Sequence, residues 1–492
     1  MSRLIDPSHT KSRSGVFHRG NSTSGLGQGL YILLLSLTMA FQASLRDIAI
    51  ALQGKFPPSV DIRQDIAVTG VSTDTRQIQP GDLFFALQGD SFDGHQFVAA
   101  ALAAGAVAAV VQRPVVGTES CLLVPDTLAA YQRLAQWWRQ RLAIPIVAIT
   151  GSVGKTTTKE LIAAALSTQG NVLKTRANYN NEIGVPKTLL ELSPDHDFGV
   201  VEMGMRGPGE IALLTQIAQP TVAVITNVGT AHIGRLGSEQ AIADAKCELL
   251  AQLAPEGIAV LNAENQRLMV TAAGVWSGRQ ISFGLTQGDV QGQEGPENTL
   301  LVDGLTIPLP LPGRHNALNY LAAIAVMRAL DLDWTQLQTR IEVTLPAGRG
   351  RRLTLPEDIV ILDETYNAGV ESMQAALHLL AATPGQRRIA VLGTMKELGT
   401  HSLALHRQVG ATVQQLGIDQ LLILADPAEA ETLAAGADPV PSLAFPDADS
   451  LTAHLRTLMQ PGDRLLFKAS RAVALDQVVA TLLKGLPSLH NS

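Results

Sequence analysis

The chain has 492 residues, 46% hydrophobic, 16% charged and 4% aromatic, and carries a net charge of −7 at neutral pH. At roughly 150 residues per domain this predicts about three domains, each able to bury its own core, and an Ala/Val/Leu/Gly-rich α/β protein over an aromatic-rich β-sandwich. An acidic balance without a long basic block excludes a nucleic-acid footprint as the main function. Cys121 and Cys247 are the two cysteines, far apart and without metal-ligand spacing, which argues for a reducing compartment and against a catalytic thiol.

In chain order, Arg13 and Arg19 precede the apolar run 30–39, a pattern similar to the n- and h-regions of a signal peptide. The run is too short to span a bilayer comfortably, so no stable membrane insertion is expected. From Met39 onward the chain reads as a protein start followed by a helix at 44–52. Residues 1–43 are therefore expected to be a disordered leader or an over-extended reading frame.

Residues 44–143 read as a small α/β module with a β-like run at 82–86 and an Ala-rich helix near 96–104. Its polar cluster Ser72, Asp74 and Arg76, followed by Asp93 and His95, offers donors beside a Gly-rich turn for a nucleotide-linked substrate. Asp74-Thr-Arg76 alone is more typical of a turn with a surface ion pair. A helix at 131–142 ends at Ile144-Pro145, which marks the first domain boundary.

The stretch 146–158 is the strongest local signal in the chain. An apolar strand breaks into Gly151-Ser152-Val153-Gly154-Lys155-Thr156-Thr157 and opens a helix, so backbone N–H groups and a helix N-terminus converge on one point, as an anion requires. Lys155 is placed to reach outer phosphates and the Thr156 hydroxyl to hold magnesium. The usual pattern has Gly five positions before the Gly-Lys pair; Ile149 stands there, so this loop is a shortened variant.

Alternating apolar and helical stretches through 346 predict a mostly parallel, helix-covered sheet, whose ligands bind at the carboxyl ends of strands. Two such ends deliver Glu202 and, after 222–226, Asn227 and His232. With Thr156 these form an oxygen-rich magnesium environment with one imidazole. Lys246, in the Ala-rich helix 240–250, reads by itself as a surface lysine. Residues 347–492 show strands at 359–362, 388–392, 421–424 and 465–467 between helices, a Rossmann-like unit without G-x-G-x-x-G.

These residues together resemble the Mur ligases, ATP-dependent amide-forming enzymes of peptidoglycan precursor assembly, over nearly all the chain after Ser44. The family's own phosphate loop is the shortened form, which accounts for Ile149. The stretches 178–186, containing Asn180 and Asn181, and 202–211 are similar to the branch that adds D-alanyl-D-alanine to UDP-N-acetylmuramoyl-tripeptide. No Asp-Asn-Pro-Arg, the mark of the diaminopimelate-adding relative, is present.

The resemblance implies three domains: a UDP-sugar substrate domain at 44–143, a central ATP-binding domain at 144–346, and a C-terminal Rossmann-like domain at 347–492 that binds the incoming dipeptide. It implies Asn316 and Asn319 at the adenine, where amides offer donor and acceptor together. It also implies Glu202 and His232 as magnesium ligands, Lys246 as a carbamoylated lysine completing them, and Arg349 on the terminal phosphate. Tyr366, Asn367, Lys468, Ser470 and Arg471 fall in motifs of the substrate site. Two positions depart from the family pattern: Glu364 replaces an aspartate near the ribose, and Thr394 replaces an acid.

The implied enzyme uses ATP and magnesium, takes small-molecule substrates, acts as a monomer and works in the cytoplasm, where ATP is available. Competing readings at this stage are a superfamily ligase adding another amino acid or a folate glutamate tail, a nucleotide-driven switch or transporter, and a binding-only homologue.

Overall fold

The computed structural model describes residues 41–56 and 66–484. The expected leader lies outside the described residues except at 41–43, which belong to the fold. Phe41 is buried with its ring centroid 4.7 Å from that of Trp138, and Ala43 pairs with Val68.

The first layer contains α1 (Leu45–Leu52), β1 (Gly70–Ser72), β2 (Asp82–Phe85), α2 (Val98–Ala103), β3 (Ala108–Val111), β4 (Cys121–Leu123) and α3 (Thr127–Arg141). Its four strands pair in the order β1-β2-β3-β4, all parallel. Helix α3 starts before the predicted 131 because Asp126 accepts from the Ala129 N–H at 2.9 Å and caps it. It also fastens this layer to the next. Trp138 Nε1 donates to the Leu192 carbonyl at 2.9 Å and Arg139 Nε to that of Ala218 at 3.1 Å.

The central layer runs through β5 (Ile146–Thr150), α4 (Lys155–Leu166), β6 (Val172–Lys174), α5 (Gly184–Leu190), β7 (Phe198–Glu202), α6 (Glu210–Ala218) and β8 (Val222–Ile225). It continues with α7 (Glu239–Ala251), β9 (Ile258–Asn262), α8 (Gln266–Val275), β10 (Gln280–Gly284), β11 (Val290–Gly295), β12 (Thr299–Val302), β13 (Leu305–Pro308) and α9 (Arg314–Ala329). The nine strands lie in the order β6-β7-β5-β8-β9-β10-β11-β12-β13. Strands β5, β7, β8 and β9 are buried at every position, which is why they read as continuous apolar runs. Each buried Val, Ile or Leu contributes about 1.5–3 kcal/mol, so a charge at Val224 would unfold this layer. The sequence reading missed the antiparallel extension β11–β13. Strand β11 begins by alternating buried and exposed positions, the pattern of a half-solvated strand.

The third layer comprises β14 (Arg351–Leu355), β15 (Ile359–Asp363), α10 (Val370–Ala382), β16 (Arg387–Gly393), α11 (Ser402–Gln415), β17 (Gln420–Leu424), α12 (Pro427–Ala437), β18 (Ser442–Ala444), α13 (Ala448–Leu458), β19 (Asp463–Lys468) and α14 (Leu475–Leu483). The order is β14-β15-β19-β16-β17-β18, parallel except for the edge strand β14. The four predicted strands are present; β14 and β18 at the edges were not anticipated. No helix among the described residues is long and apolar enough to cross a membrane.

Candidate active site

A cleft of about 1730 Å³ opens where the carboxyl ends of the central strands face the third layer. Strand β5 lies between β7 and β8, where the chain reverses its direction across the sheet, the place where open α/β sheets bind ligands.

The loop 151–154 is held from β8. Asn227 Oδ1 accepts from the Val153 N–H at 3.0 Å, Asn227 Nδ2 and Thr226 Oγ1 donate to the Val153 carbonyl at 3.0 and 2.7 Å, and Ser152 N–H reaches the Asn227 carbonyl at 3.1 Å. Gly151 must be glycine, because a Cβ there would lie 1.9 Å from Thr226 Oγ1. Helix α4 starts at Gly154 in the left-handed region without a side-chain cap, so its first N–H groups are available to an anion. Lys155 Nζ folds onto the Gly151 carbonyl at 2.7 Å. Burial lowers its pKa, and Arg349 across the cleft adds to this. Thr156 is buried at the same turn, and Ser152 and Thr157 line the cleft.

Beside this loop Glu202 is 2% exposed. One carboxylate oxygen accepts from Asn180 Nδ2 at 2.8 Å, while Oε2 is buried without a hydrogen-bond partner. Lys159 Nζ lies 3.8 Å from that oxygen and 3.1 Å from Glu160 Oε1. The Lys159 charge faces this oxygen without a hydrogen bond, so the oxygen's lone pairs stay unmet at a cost in burial, and the oxygen fits a magnesium ligand. Among the described residues no three His, Cys, Asp or Glu side chains converge as a metal cluster, so a divalent ion here would also draw on other donors.

His232 and Lys246 line the same cleft. His232 Nδ1 is 2.5 Å from Glu397 Oε2; burial lowers the imidazole pKa and the Glu397 charge opposes that effect. Lys246 is only 1% exposed, which corrects the surface-lysine reading. Helix α7 turns it inward, and burial, aided by the Lys155 charge, pulls its pKa well below the ordinary lysine value. A neutral amine is the form that adds to carbon dioxide.

The third layer and α9 supply the opposite wall. Asn319 Oδ1 accepts from Thr158 Oγ1 at 3.1 Å, and Asn316 Nδ2 donates to the Pro312 carbonyl at 2.8 Å. Arg349 stacks over the Tyr366 ring at 4.0 Å, and its Nε is buried without a hydrogen-bond partner. Glu364 Oε1 accepts from the Gly350 N–H at 2.9 Å; burial raises its pKa and Lys468 opposes this. Lys468 Nζ donates to the Asn367 carbonyl at 2.9 Å, and burial lowers its pKa. Ser470 and Arg471 complete the wall. Asn181 lines the cleft while its Oδ1 accepts from the Gly184 N–H at 2.9 Å at the start of α5.

The predicted residues of the first layer are elsewhere: Ser72, Asp74, Arg76, Asp93 and His95 do not line this cleft. Asp74 pairs with Arg76 at 2.7 Å, and this bond lowers the Asp74 pKa to about 2. His95 is buried with Nδ1 2.7 Å from Asp93 and Nε2 accepting from the Gln112 N–H at 3.0 Å. Both its ring nitrogens have partners within the domain.

Sequence reasoning missed three cleft groups, His315, Glu371 and Glu397, and the buried Lys159 behind Glu202. His315 adjoins Asn316 in the motif already singled out, a signal that was available. Glu371 and Glu397 reach the central layer only through tertiary contact.

Family models match three stretches: "Mur ligase family, catalytic domain" over 67–134, "Mur ligase middle domain" over 149–327, and "Mur ligase, glutamate ligase domain" over 348–471. The chain is 58% identical over 453 residues to the UDP-N-acetylmuramoyl-tripeptide–D-alanyl-D-alanine ligase of Synechocystis sp., covering 92% of this chain and 100% of that one. It is 39% identical over 433 residues to the enzyme of the same description from Escherichia coli, covering 85% and 94%. Among solved structures, MurF from Acinetobacter baumannii aligns with a TM-score of 0.81 at 31% identity, covering 91% and 100%. MurF ligase from Thermotoga maritima in complex with ADP aligns with a TM-score of 0.75 at 31% identity, covering 84% and 97%.

Proposed function

Because the chain belongs to the Mur ligase family, we propose that it joins D-alanyl-D-alanine to UDP-N-acetylmuramoyl-tripeptide, converting ATP to ADP and phosphate, in peptidoglycan precursor synthesis. The observation that carries the reading is one cleft with a phosphate loop on one wall and Arg349 and Lys468 on the other. A switch that only hydrolyses nucleotide has no need of the second wall.

The tripeptide's terminal carboxylate oxygen attacks the γ-phosphorus of ATP and ADP leaves, giving an acyl phosphate. The dipeptide amine attacks the carbonyl carbon, loses a proton, and phosphate departs as the amide forms. The protein's task is positioning and charge neutralisation. The loop N–H groups and Lys155 hold the phosphates, Asn316 and Asn319 meet the adenine, Glu364 meets the ribose, and Arg349 opposes charge developing on the transferring group. The site would take a magnesium ion, whose chemistry there would be to offset the charge of the phosphates. Thr156, Glu202 and His232 would hold it, joined by Lys246 as its carbamate, which turns an ammonium that repels the ion into an anionic oxygen donor. Tyr366, Asn367, Lys468, Ser470 and Arg471 receive the dipeptide. Asn180 and Asn181, with Ser72, Asp74, Arg76 and Asp93 of the first layer, receive the UDP-linked tripeptide. The enzyme acts as a cytoplasmic monomer.

Phosphate release with each substrate alone and then together, with mass spectrometry of the product, tests the reading. Release that needs both substrates and yields a UDP-linked pentapeptide is expected; release with neither present would overturn it. A carbamate carbon signal on adding 13C-bicarbonate, absent from Lys246→Arg, tests the modification.

A further inference from the structure

We infer that Glu397, assisted by Glu371, is a positioning residue through which the third layer orients His232 and so makes the central layer competent to bind its divalent ion. The inference rests on the reading above that His232 faces the magnesium–nucleotide site.

The segment 229–235 is held from two directions. From its own layer, Ser152 Oγ in the phosphate loop accepts from the Gly229 N–H at 2.9 Å. From the third layer, Glu371 accepts from the Thr230 N–H at 2.6 Å and from its hydroxyl at 3.3 Å. Glu397 takes the His232 ring at 2.5 Å, its backbone carbonyl accepts from the Gly234 N–H at 3.1 Å, and Arg235 lies 3.6 Å from its second oxygen.

His232 needs such support because its φ is +67°, a backbone region that side-chain-bearing residues seldom occupy. A carboxylate at Nδ1 also selects the tautomer. With the proton on Nδ1 and donated to Glu397, Nε2 keeps its lone pair for a metal, the arrangement in which a ligating histidine is oriented and made more basic by its outer partner. An ordinary surface ion pair would involve Arg235 alone and would not bring the two backbones together. Here a Cβ on Gly234 would lie 2.5 Å from the Gly399 nitrogen and 2.8 Å from the Glu397 carbonyl oxygen, so the layers meet backbone to backbone at this point.

The test measures Mn2+ binding by electron paramagnetic resonance with a non-hydrolysable ATP analogue in full-length wild type, His232→Ala, Glu397→Ala, Glu397→Gln and Gly234→Ala. Thermal melts establish that each variant is folded. Glu397→Ala is expected to bind Mn2+ about 10–100-fold more weakly, the usual loss for an outer partner, with the KM for D-alanyl-D-alanine unchanged. Glu397→Gln retains most of the affinity because its amide oxygen still accepts from Nδ1–H. Gly234→Ala weakens binding without altering either side chain, by forcing the backbones apart. If His232→Ala lowers affinity while Glu397→Ala and Gly234→Ala match wild type, the inference fails. If His232→Ala itself matches wild type, the underlying assignment of His232 fails instead.

Discussion

The central and third layers share a parallel α/β design, and helices α4 and α10, which follow β5 and β15, both start at a glycine without a side-chain cap, yet their surroundings differ. Helix α4 starts at Gly154 without a side-chain cap, and its lysine rests on loop carbonyls. Just before α10 the donors have local partners: Gly369 N–H on Ser372 Oγ at 3.1 Å, Ala368 N–H on Asn367 Oδ1 at 2.9 Å, and Lys468 Nζ on the Asn367 carbonyl. Topology alone therefore does not make a phosphate site. What distinguishes the two is the residue that opens the helix and its local partners: Lys155 after Gly154 in the left-handed region, against Val370 after a Gly369 whose N–H is held by Ser372.

The sharpest way to break this contrast is Lys155→Ala. Removing the cation from the uncapped turn is expected to lower kcat about 10³-fold, read as phosphate release with both substrates present. A drop below about 10-fold would mean that the loop does not carry the transferring phosphates. Gly151→Ala comes next. Its Cβ would enter Thr226 Oγ1, pushing the loop off the clamp formed by Thr226 and Asn227, and ADP affinity measured by calorimetry should fall about 100-fold with the charge inventory unchanged.

These effects fall on residues that could be read from the chain, because the central site is built from contiguous segments: one strand, one turn and one helix within 146–158, and a carboxylate at the end of another strand. Lys246 was harder. Its place on a helix was legible, but the face it occupies depends on packing. Glu397 lies in the stretch 393–399 that already resembles a family motif, but its pairing with His232, like that of Glu371 with Thr230, could not be read because the partners lie 165 and 141 positions apart. His95 shows the converse: the sequence places it in a polar cluster that offers donors to a substrate, and only the fold shows that both ring nitrogens have partners within the domain. The departure at Thr394 gains meaning only in three dimensions. Its hydroxyl donates to Asp426 Oδ2 at 3.2 Å and accepts from the Asp426 N–H at 2.9 Å, while Lys396 Nζ lies 2.5 Å from the same carboxylate. An acid adjacent in space thus stands beside the position where the sequence lacks one.

His315 tests the wall shared by both layers. Burial, with the Lys468 charge, lowers its pKa from 6.5 to about 4. Between those values the unfolded chain binds a proton that the folded chain does not, so this contribution is complete above pH 6.5 and is lost as pH falls toward 4. It amounts to at most about 3 kcal/mol, and less after screening at a partly exposed ring. Denaturant melts of His315→Gln should show a flatter dependence on pH across that window; an unchanged slope would place the ring in solvent, away from Lys468.

The smallest expected effect is the most discriminating for the contrast between the two helix starts. Ser372→Ala removes the hydroxyl that receives the Gly369 N–H, a loss typical of a helix-start side chain and worth about 1 kcal/mol of stability. If the start of α10 is purely structural, that loss appears in the melting curve while ADP affinity and phosphate release stay at wild-type values. If the freed turn instead acquires affinity for inorganic phosphate, detectable by calorimetry in the variant and not in wild type, then one hydroxyl is what separates a closed helix start from an open one.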